Sequence, residues 1–194
     1  MALLAGSKKI KTAVFISGTG SNLKSLIKFS KLKKSPISIE IIISNNPKSK
    51  GLILGKIYNI KKKIINFKKQ NLAEKNILFE LKKNKINLIC LAGFMKILSK
   101  YFIKKFRGKI LNIHPSLLPK YKGLNTHKRA IKNREKFSGC TVHFVNEKLD
   151  NGKNIVQKSF FINKNDNIKI LKEKTQRLEY KAFSEAIIKI YRYN

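Results

Sequence analysis

Cysteine is nearly absent from the 194 residues: Cys90 and Cys140 stand alone, each inside an apolar run. Neither a disulfide framework nor a zinc spacing can be built from that pair, so both read as small buried hydrophobes. No stretch approaches the roughly 20 apolar residues of a membrane span. Residues 1–11 lack the apolar core and cleavage site of a secretory signal and read as an N-terminal extension, which makes the cytoplasm the expected location. Internal repeats and low-complexity linkers are also missing, so residues 12–194 are expected to form one domain. Apolar residues at 42%, with twelve Phe, exclude the composition of a disordered chain.

Acidic residues are scarce: ten Asp plus Glu face 44 Lys plus Arg, a formal net charge of +34. Such an excess ordinarily points to nucleic acid. Arginine, the residue of bidentate base and phosphate contacts, is scarce too, and the lysines are spread evenly among abundant Ile and Asn. Lys, Ile and Asn have AT-rich codons, so the pattern is that of compositional drift over a solvated surface, with a selected polyanion partner as the alternative. Either origin implies non-specific, salt-sensitive adhesion to nucleic acid.

What is present alternates. Residues 12–17 form an apolar run rich in β-formers, as in a parallel strand covered on both faces. The run enters Gly18-Thr19-Gly20-Ser21-Asn22, then Leu23, Leu26 and Ile27 at helical spacing. A strand, a glycine-rich turn and a helix start present backbone N–H groups to an anion, with Ser21 or Asn22 as helix cap. Two glycines fall short of a dinucleotide fingerprint, and the Lys-Ser/Thr of a phosphate loop is missing. Further strands are expected at 37–43, 63–67 and 88–92. Helices are expected over 50–58 and 72–83, the second placing Leu72, Ile77, Leu78 and Leu81 on one face. This alternation predicts an α/β fold with a doubly wound, mostly parallel sheet whose sites lie at strand C-terminal ends.

Two stretches sit at such ends. Residues 93–98 hold Phe94, Met95, Ile97 and Leu98, which serve either the core or an apolar wall for a flat ligand. Ser99 then caps a short helix. The fifth strand ends with Asn112 and His114 and exits through Pro115 and Pro119. Residues two apart in a strand share a side, so an amide and an imidazole meet in one space and His114 becomes a catalytic candidate. His127, on a helix opened by Asn125 or Thr126, reads as structural. Residues 139–145 alternate like a half-buried strand, and 155–161 return as an antiparallel extension. Between them Asp150-Asn151-Gly152 is a turn, in which Asp150 serves either turn geometry or chemistry. From Ile168 onward Leu171, Thr175, Leu178, Ala182, Ala186, Ile187 and Ile190 trace one long amphipathic helix, whose Glu179 reads as an exposed ion pair unless it belongs to a site.

The strings FISGTGSNL (15–23), LAGFMKIL (91–98), LNIHPSLLP (111–119), GLNTH (123–127), TVHFV (141–145) and LDNG (149–152) resemble, in order, the phosphoribosylglycinamide formyltransferases of purine synthesis. The resemblance covers nearly the whole chain after residue 11. It implies a Rossmann-like formyltransferase fold and transfer of a formyl group from 10-formyltetrahydrofolate, a co-substrate, to the amine of N1-(5-phosphoribosyl)glycinamide, without a metal. Asn112, His114 and Asp150 match the catalytic trio, the first two stabilising a tetrahedral intermediate and Asp150 assisting proton transfer. Gly20, Ser21, Asn22, Gln176 and Glu179 would hold the ribonucleotide. Met95, Lys96, Ile97, Leu98, Asn112, His143, Asn146, Glu147 and Asp150 would hold the folate. With a reference pKa of about 6.5, His114 beside Asp150 is expected to favour its charged form.

Several positions depart from the family pattern. Lys96 stands where Arg is usual, and a point charge is not a bidentate fork. Asn151 replaces a frequent Gly, Tyr180 a frequent His, and around Gln70 there is no clear match to the basic residue with which the family meets the folate tail. Small-molecule partners and a monomer or homodimer are expected. The alternatives are a formyltetrahydrofolate hydrolase, the methionyl-tRNA enzyme, or a non-catalytic polyanion-binding use of the fold. The extra domains that the two other enzymes carry are not expected in this chain.

Overall fold

Short β-branched runs bounded by Gly, Asn or Pro become strands, and the segments between them become helices. The computed structural model describes residues 8–192. Their order is β1 (Ile10–Ile16), α1 (Ser21–Ser30), β2 (Ile37–Ser44), α2 (Ile53–Ile57) behind a 3₁₀ turn at Lys50–Leu52, β3 (Lys61–Ile64), α3 (Gln70–Lys83), β4 (Leu88–Leu91), α4 (Lys100–Lys105), β5 (Lys109–His114), α5 (Thr126–Lys132), β6 (Phe137–Phe144), β7 (Asn154–Phe161) and α6 (Ile168–Arg192). The strands run in the order β3-β2-β1-β4-β5-β6-β7. The α/β class is as expected, a mostly parallel sheet with an antiparallel extension and a long C-terminal helix. Residues 1–7 of the expected extension lie outside the described residues, and β1 takes up Ile10 and Lys11. The chain divides into two compact units, one running to Ile110 and including Tyr191, the other Leu111–Ile190.

In the first unit β1 pairs in parallel with β2 and β4, and β2 with β3. Ala13, Val14, Phe15 and Ile16 are wholly buried, as are Ile41, Ile42 and Ile43. The third strand is Lys61–Ile64, two residues earlier than expected, and all four of its residues are exposed. Pairing of Ile41 with Lys61, not an apolar pattern, sets its place, while Phe67 leaves the sheet and packs its ring 5.6 Å from that of Phe94. On α3 Leu72 is exposed, and the inner face is Ala73, Glu74, Ile77, Glu80 and Leu81. Acids can stand there because donors reach them. Lys63 at 3.0 Å and Lys61 at 3.2 Å bind Glu80, and Lys63 above all holds that carboxyl below its usual range against the effect of burial.

In the second unit β6 pairs antiparallel with β5 and β7. The expected half-buried alternation of β6 is not found, since Ser138 to His143 are all buried. Thr141 makes that tolerable. Its hydroxyl donates to the Ser116 carbonyl at 2.7 Å and accepts from the Leu118 N–H at 3.0 Å and Gln157 Nε2 at 2.9 Å. Those bonds stitch the exit of β5 onto β6. Along α6 Leu171, Thr175, Ala182, Phe183, Ala186 and Ile187 are buried, with Leu178 half-buried. His127 on α5 lies 3.1 Å from the Thr175 hydroxyl, and burial pushes its pKa down. Both cysteines are free and fully buried, as expected. Among the described residues no helix is long and apolar enough to cross a membrane.

Candidate active site

Asn112 and His114 leave β5 on one side and meet Asp150. Asn112 Nδ2 lies 3.4 Å from Asp150 Oδ1, and His114 Nδ1 lies 3.3 Å from Oδ2. Asp150 occupies the left-handed region at φ 44°. The Gly123 N–H holds its Oδ2 at 2.8 Å. His114 Nε2 is 2.9 Å from the Tyr121 carbonyl, so the loop of residues 121–123 reaches both members of the pair. Nothing local in the sequence marks Tyr121 for that contact, which uses backbone atoms alone.

The protonation of this cluster differs from expectation. Burial pushes the His114 pKa below 6.5, and the Tyr121 carbonyl and the Asp150 charge, which act the other way, do not outweigh it. The expectation that Asp150 would keep the imidazole charged is therefore corrected: at 5% exposure, desolvation wins. Both ring nitrogens face acceptors, and a neutral ring has one N–H to give. Burial also raises the Asp150 pKa, but the neighbouring His143 and the Gly123 N–H, which donates to the carboxylate, bring it below the usual carboxylate value. The cluster thus offers an amide, an imidazole and an ionised carboxylate within reach of one small group.

The other expected residues of this unit fall in three places. Asn146 and Glu147 lie exposed in the loop ahead of Asp150, where Asn146 Nδ2 donates to the Asn151 carbonyl at 3.2 Å. His143, expected on the folate, is instead 2% exposed, with both ring nitrogens engaged inside the protein. Gln176 and Glu179 are on α6. Glu179 is buried rather than an exposed ion pair, and its charge, after burial, helps push the Cys140 thiol up to about 12.

The first unit holds the remaining expected residues. Gly20, at φ 76°, is the N-cap of α1, and neither Ser21 nor Asn22 serves as a side-chain cap. A Cβ on Gly20 would meet the Gly51 Cα at 2.6 Å, so glycine is needed there for conformation and for space. The Ser49 hydroxyl at 2.7 Å and the Gly51 N–H at 3.1 Å both bind the Gly18 carbonyl and pin the turn. The N–H groups of a helix's first turn have no acceptor within the helix, and its dipole favours an anion there.

After β4 the apolar loop divides between the two roles considered for it. Phe94 and Leu98 are buried, Phe94 with its ring 5.3 Å from Phe15, whereas Met95 and Ile97 are each 67% exposed. Ser17 joins loop and turn: its hydroxyl accepts from the Met95 N–H at 2.8 Å. A cavity of about 510 Å³ is lined by Ser17, Asn45, Phe67, Lys68, Met95 and Lys96, among others. A second, of about 550 Å³ and lined from β3 and α3, holds none of the expected residues. Sequence reasoning missed what fixes this loop, namely Glu74. Wholly buried, it accepts from the Ser99 N–H at 2.7 Å, from the Ser99 hydroxyl, and from Gln70 Nε2 at 2.9 Å. Gln70 Nε2 also reaches the Ile97 carbonyl at 3.0 Å.

An α/β fold with an amide, an imidazole and a carboxylate gathered at a strand end has the features of a group-transfer enzyme. The formyl transferase profile matches residues 10–187. The phosphoribosylglycinamide formyltransferase of Haemophilus influenzae is 41% identical over 176 residues, covering 89% of this chain and 83% of the relative. The human trifunctional purine biosynthetic protein adenosine-3 is 41% identical over 186 residues, and there the chain spans only 18% of the relative's length. The crystal structure of phosphoribosylglycinamide formyltransferase from Brucella melitensis superposes with a TM-score of 0.89 at 34% identity, over 96% of this chain and 97% of that one. The chain belongs to the formyl transferase family.

Proposed function

We propose that the chain transfers the formyl group of 10-formyltetrahydrofolate to the amine of N1-(5-phosphoribosyl)glycinamide in de novo purine synthesis, with residues 12–194 acting as one catalytic domain. The convergence of Asn112 and His114 on the Asp150 carboxylate carries the reading. The names of the Haemophilus influenzae and Brucella melitensis relatives support it.

When the amine attacks the formyl carbon, negative charge grows on the carbonyl oxygen, and donors fixed there stabilise the transition state more than the ground state. Asn112 supplies one donor by turning an N–H from its long contact with Asp150. His114 supplies the second when a gained proton, or release of the Tyr121 carbonyl, frees a ring N–H. Asp150, ionised and held by Gly123, takes the proton from the attacking nitrogen and returns it to the leaving one through water. The turn of Gly20, Ser21 and Asn22 takes the ribonucleotide phosphate, and Gln176 and Glu179 meet the same substrate. Met95 and Ile97 give the folate an apolar surface over Leu98, with Lys96 for its carboxylates. Asn112, Asn146, Glu147 and Asp150 complete that set. Under this reading the partners are small molecules in the cytoplasm, met by a monomer or homodimer.

Protein mixed with both substrates is expected to form formylglycinamide ribonucleotide, and Asn112→Ala, His114→Ala and Asp150→Ala each to lose about 10²–10⁴-fold in kcat. Unchanged turnover in the Asp150 variant refutes the proton role. Formate release without the ribonucleotide identifies a hydrolase instead.

A further inference from the structure

Strand pairing sets His143 of β6 directly opposite Asn112 of β5. The His143 ring is buried, and it stands against Asn112, which the reading above sets on the transferred group. Its Nδ1 lies 2.8 Å from the Phe144 carbonyl. A carbonyl only accepts, so Nδ1 carries a hydrogen, and in a neutral ring Nε2 then holds a lone pair. That lone pair lies 3.2 Å from Asn112 Nδ2. The second acceptor facing the same nitrogen is Asp150 Oδ1, at 3.4 Å.

Two acceptors on one nitrogen fix the amide. Turned over, Asn112 would present its Oδ1 to a carboxylate and to a lone pair at once, and both contacts would be repulsive. A hydrogen on Nε2 would set two donors face to face, with Asp150 Oδ1 at 3.6 Å too far for a good bond in return. Gly152 makes the Phe144 contact possible: a Cβ there would stand 1.6 Å from the Phe144 carbonyl oxygen and 3.5 Å from His143 Nδ1. The turn can close over that carbonyl only where no side chain intervenes.

We propose that His143, as its Nδ1–H tautomer, is the positioning residue of the formyl-transfer site, retaining one N–H of Asn112 so that the other is aimed at the oxygen of the transferred group. This rests on the formyl-transfer reading above and deepens it. His143 acts through Asn112 and touches no reacting atom. Without an acceptor at Nε2 only the longer contact with Asp150 Oδ1 resists turning of the amide, and an Asn112 oxygen facing the developing oxyanion opposes the reaction it should assist.

The test compares His143→Leu, which removes the acceptor, with His143→Gln, whose Oε1 restores one near the position of Nε2. In the full chain His143→Leu is expected to lower kcat about 30-fold, a fraction of the loss on deleting an oxyanion donor, with each KM within about threefold of wild type. His143→Gln should recover most of that loss. In an Asn112→Ala background His143→Leu should cost less than about threefold, because its only route is already gone. Nitrogen-15 spectra of the histidine rings, with the His143 signal assigned by its disappearance in His143→Gln, should show the Nδ1–H tautomer. Equal losses in the Leu and Gln variants, an undiminished loss in the Asn112→Ala background, or an Nε2–H tautomer each overturn the proposal. If the wild type forms no product, the formyl-transfer reading fails by itself, and the tautomer then decides whether His143 holds Asn112.

Discussion

Glu74 offers the sharpest test of how the apolar loop after β4 is held. Its carboxylate is wholly buried and takes two bonds from Ser99 and one from Gln70. In Glu74→Ala the exposed Gln70 turns to water at little cost, but the Ser99 N–H and hydroxyl lose a charged acceptor. Bonds to charged groups contribute about 1.5–3 kcal/mol each. Desolvation of the carboxylate offsets part of this, which leaves a destabilisation of about 3 kcal/mol. For a chain of this size that is a fall of about 6–12 °C in Tm, read by calorimetry. Glu74→Gln is the control: its Oε1 still accepts from Ser99 and Gln70, and its amide can donate to a Ser99 hydroxyl that already accepts from the Phe102 N–H. That variant should lose only about 1 kcal/mol. Because Gln70 also holds the Ile97 carbonyl, the Ala variant should raise the KM for the formyl donor and leave that for the ribonucleotide unchanged. A Glu74→Ala protein melting within about 2 °C of wild type refutes the reasoning.

Gly20→Ala forces a side chain into left-handed geometry and against Gly51, so it should cost about 2 kcal/mol in chemical denaturation and weaken ribonucleotide binding; unaltered binding removes the anion turn from the site. Gly152→Ala must move the turn before Asn154 or the Phe144 carbonyl, and a loss of about 2–3 kcal/mol together with a fall in kcat is expected, whereas a fully stable, fully active variant contradicts the contact. Burial holds both His114 and His127 below 6.5, so the unfolded chain binds protons first as pH falls. Stability is then full above about pH 6.5 and declines below it until the folded values are passed, with Asp150 adding a further loss at lower pH. His127→Gln should flatten part of the first slope, and a denaturation midpoint constant from about pH 6.5 to 5 contradicts the assignment.

Much of the fold was legible because it is written locally. β1, β2 and β4 are unbroken apolar runs, and the alternation that sets Asn112 beside His114 needs no tertiary information. The misplacement of β3 shows the converse: Lys61-Lys62-Lys63 carries no strand pattern, and only pairing with β2 makes it one. Glu179 looked like an exposed acid in a basic helix and Glu74 drew no notice, because the groups that make burial tolerable can be far away in sequence, as Ser99 is from Glu74. The cap of α1 went to Gly20 because the close approach of Gly51 demanded a glycine there, a contact invisible in the turn itself. The protonation of His114 was misjudged for a related reason, since a neighbouring carboxylate can be guessed from a motif but the depth of burial cannot. Asp150 was legible as a turn residue, whereas its clasp by the Gly123 backbone was not.

The exposed row of lysines on β3 has a bearing on how this chain behaves in company. As the end strand of the sheet it offers an open backbone ladder, the template on which a second copy would add itself. No proline stands in it. It is guarded by like charge, and Glu80 braces Lys61 and Lys63 over that margin. A guard of this kind reaches about 8 Å at physiological ionic strength and shrinks to about 3 Å at 1 M salt. Salting the protein out is thus also disarming it, and the solubility of this lysine-laden chain is a property it shares with its buffer.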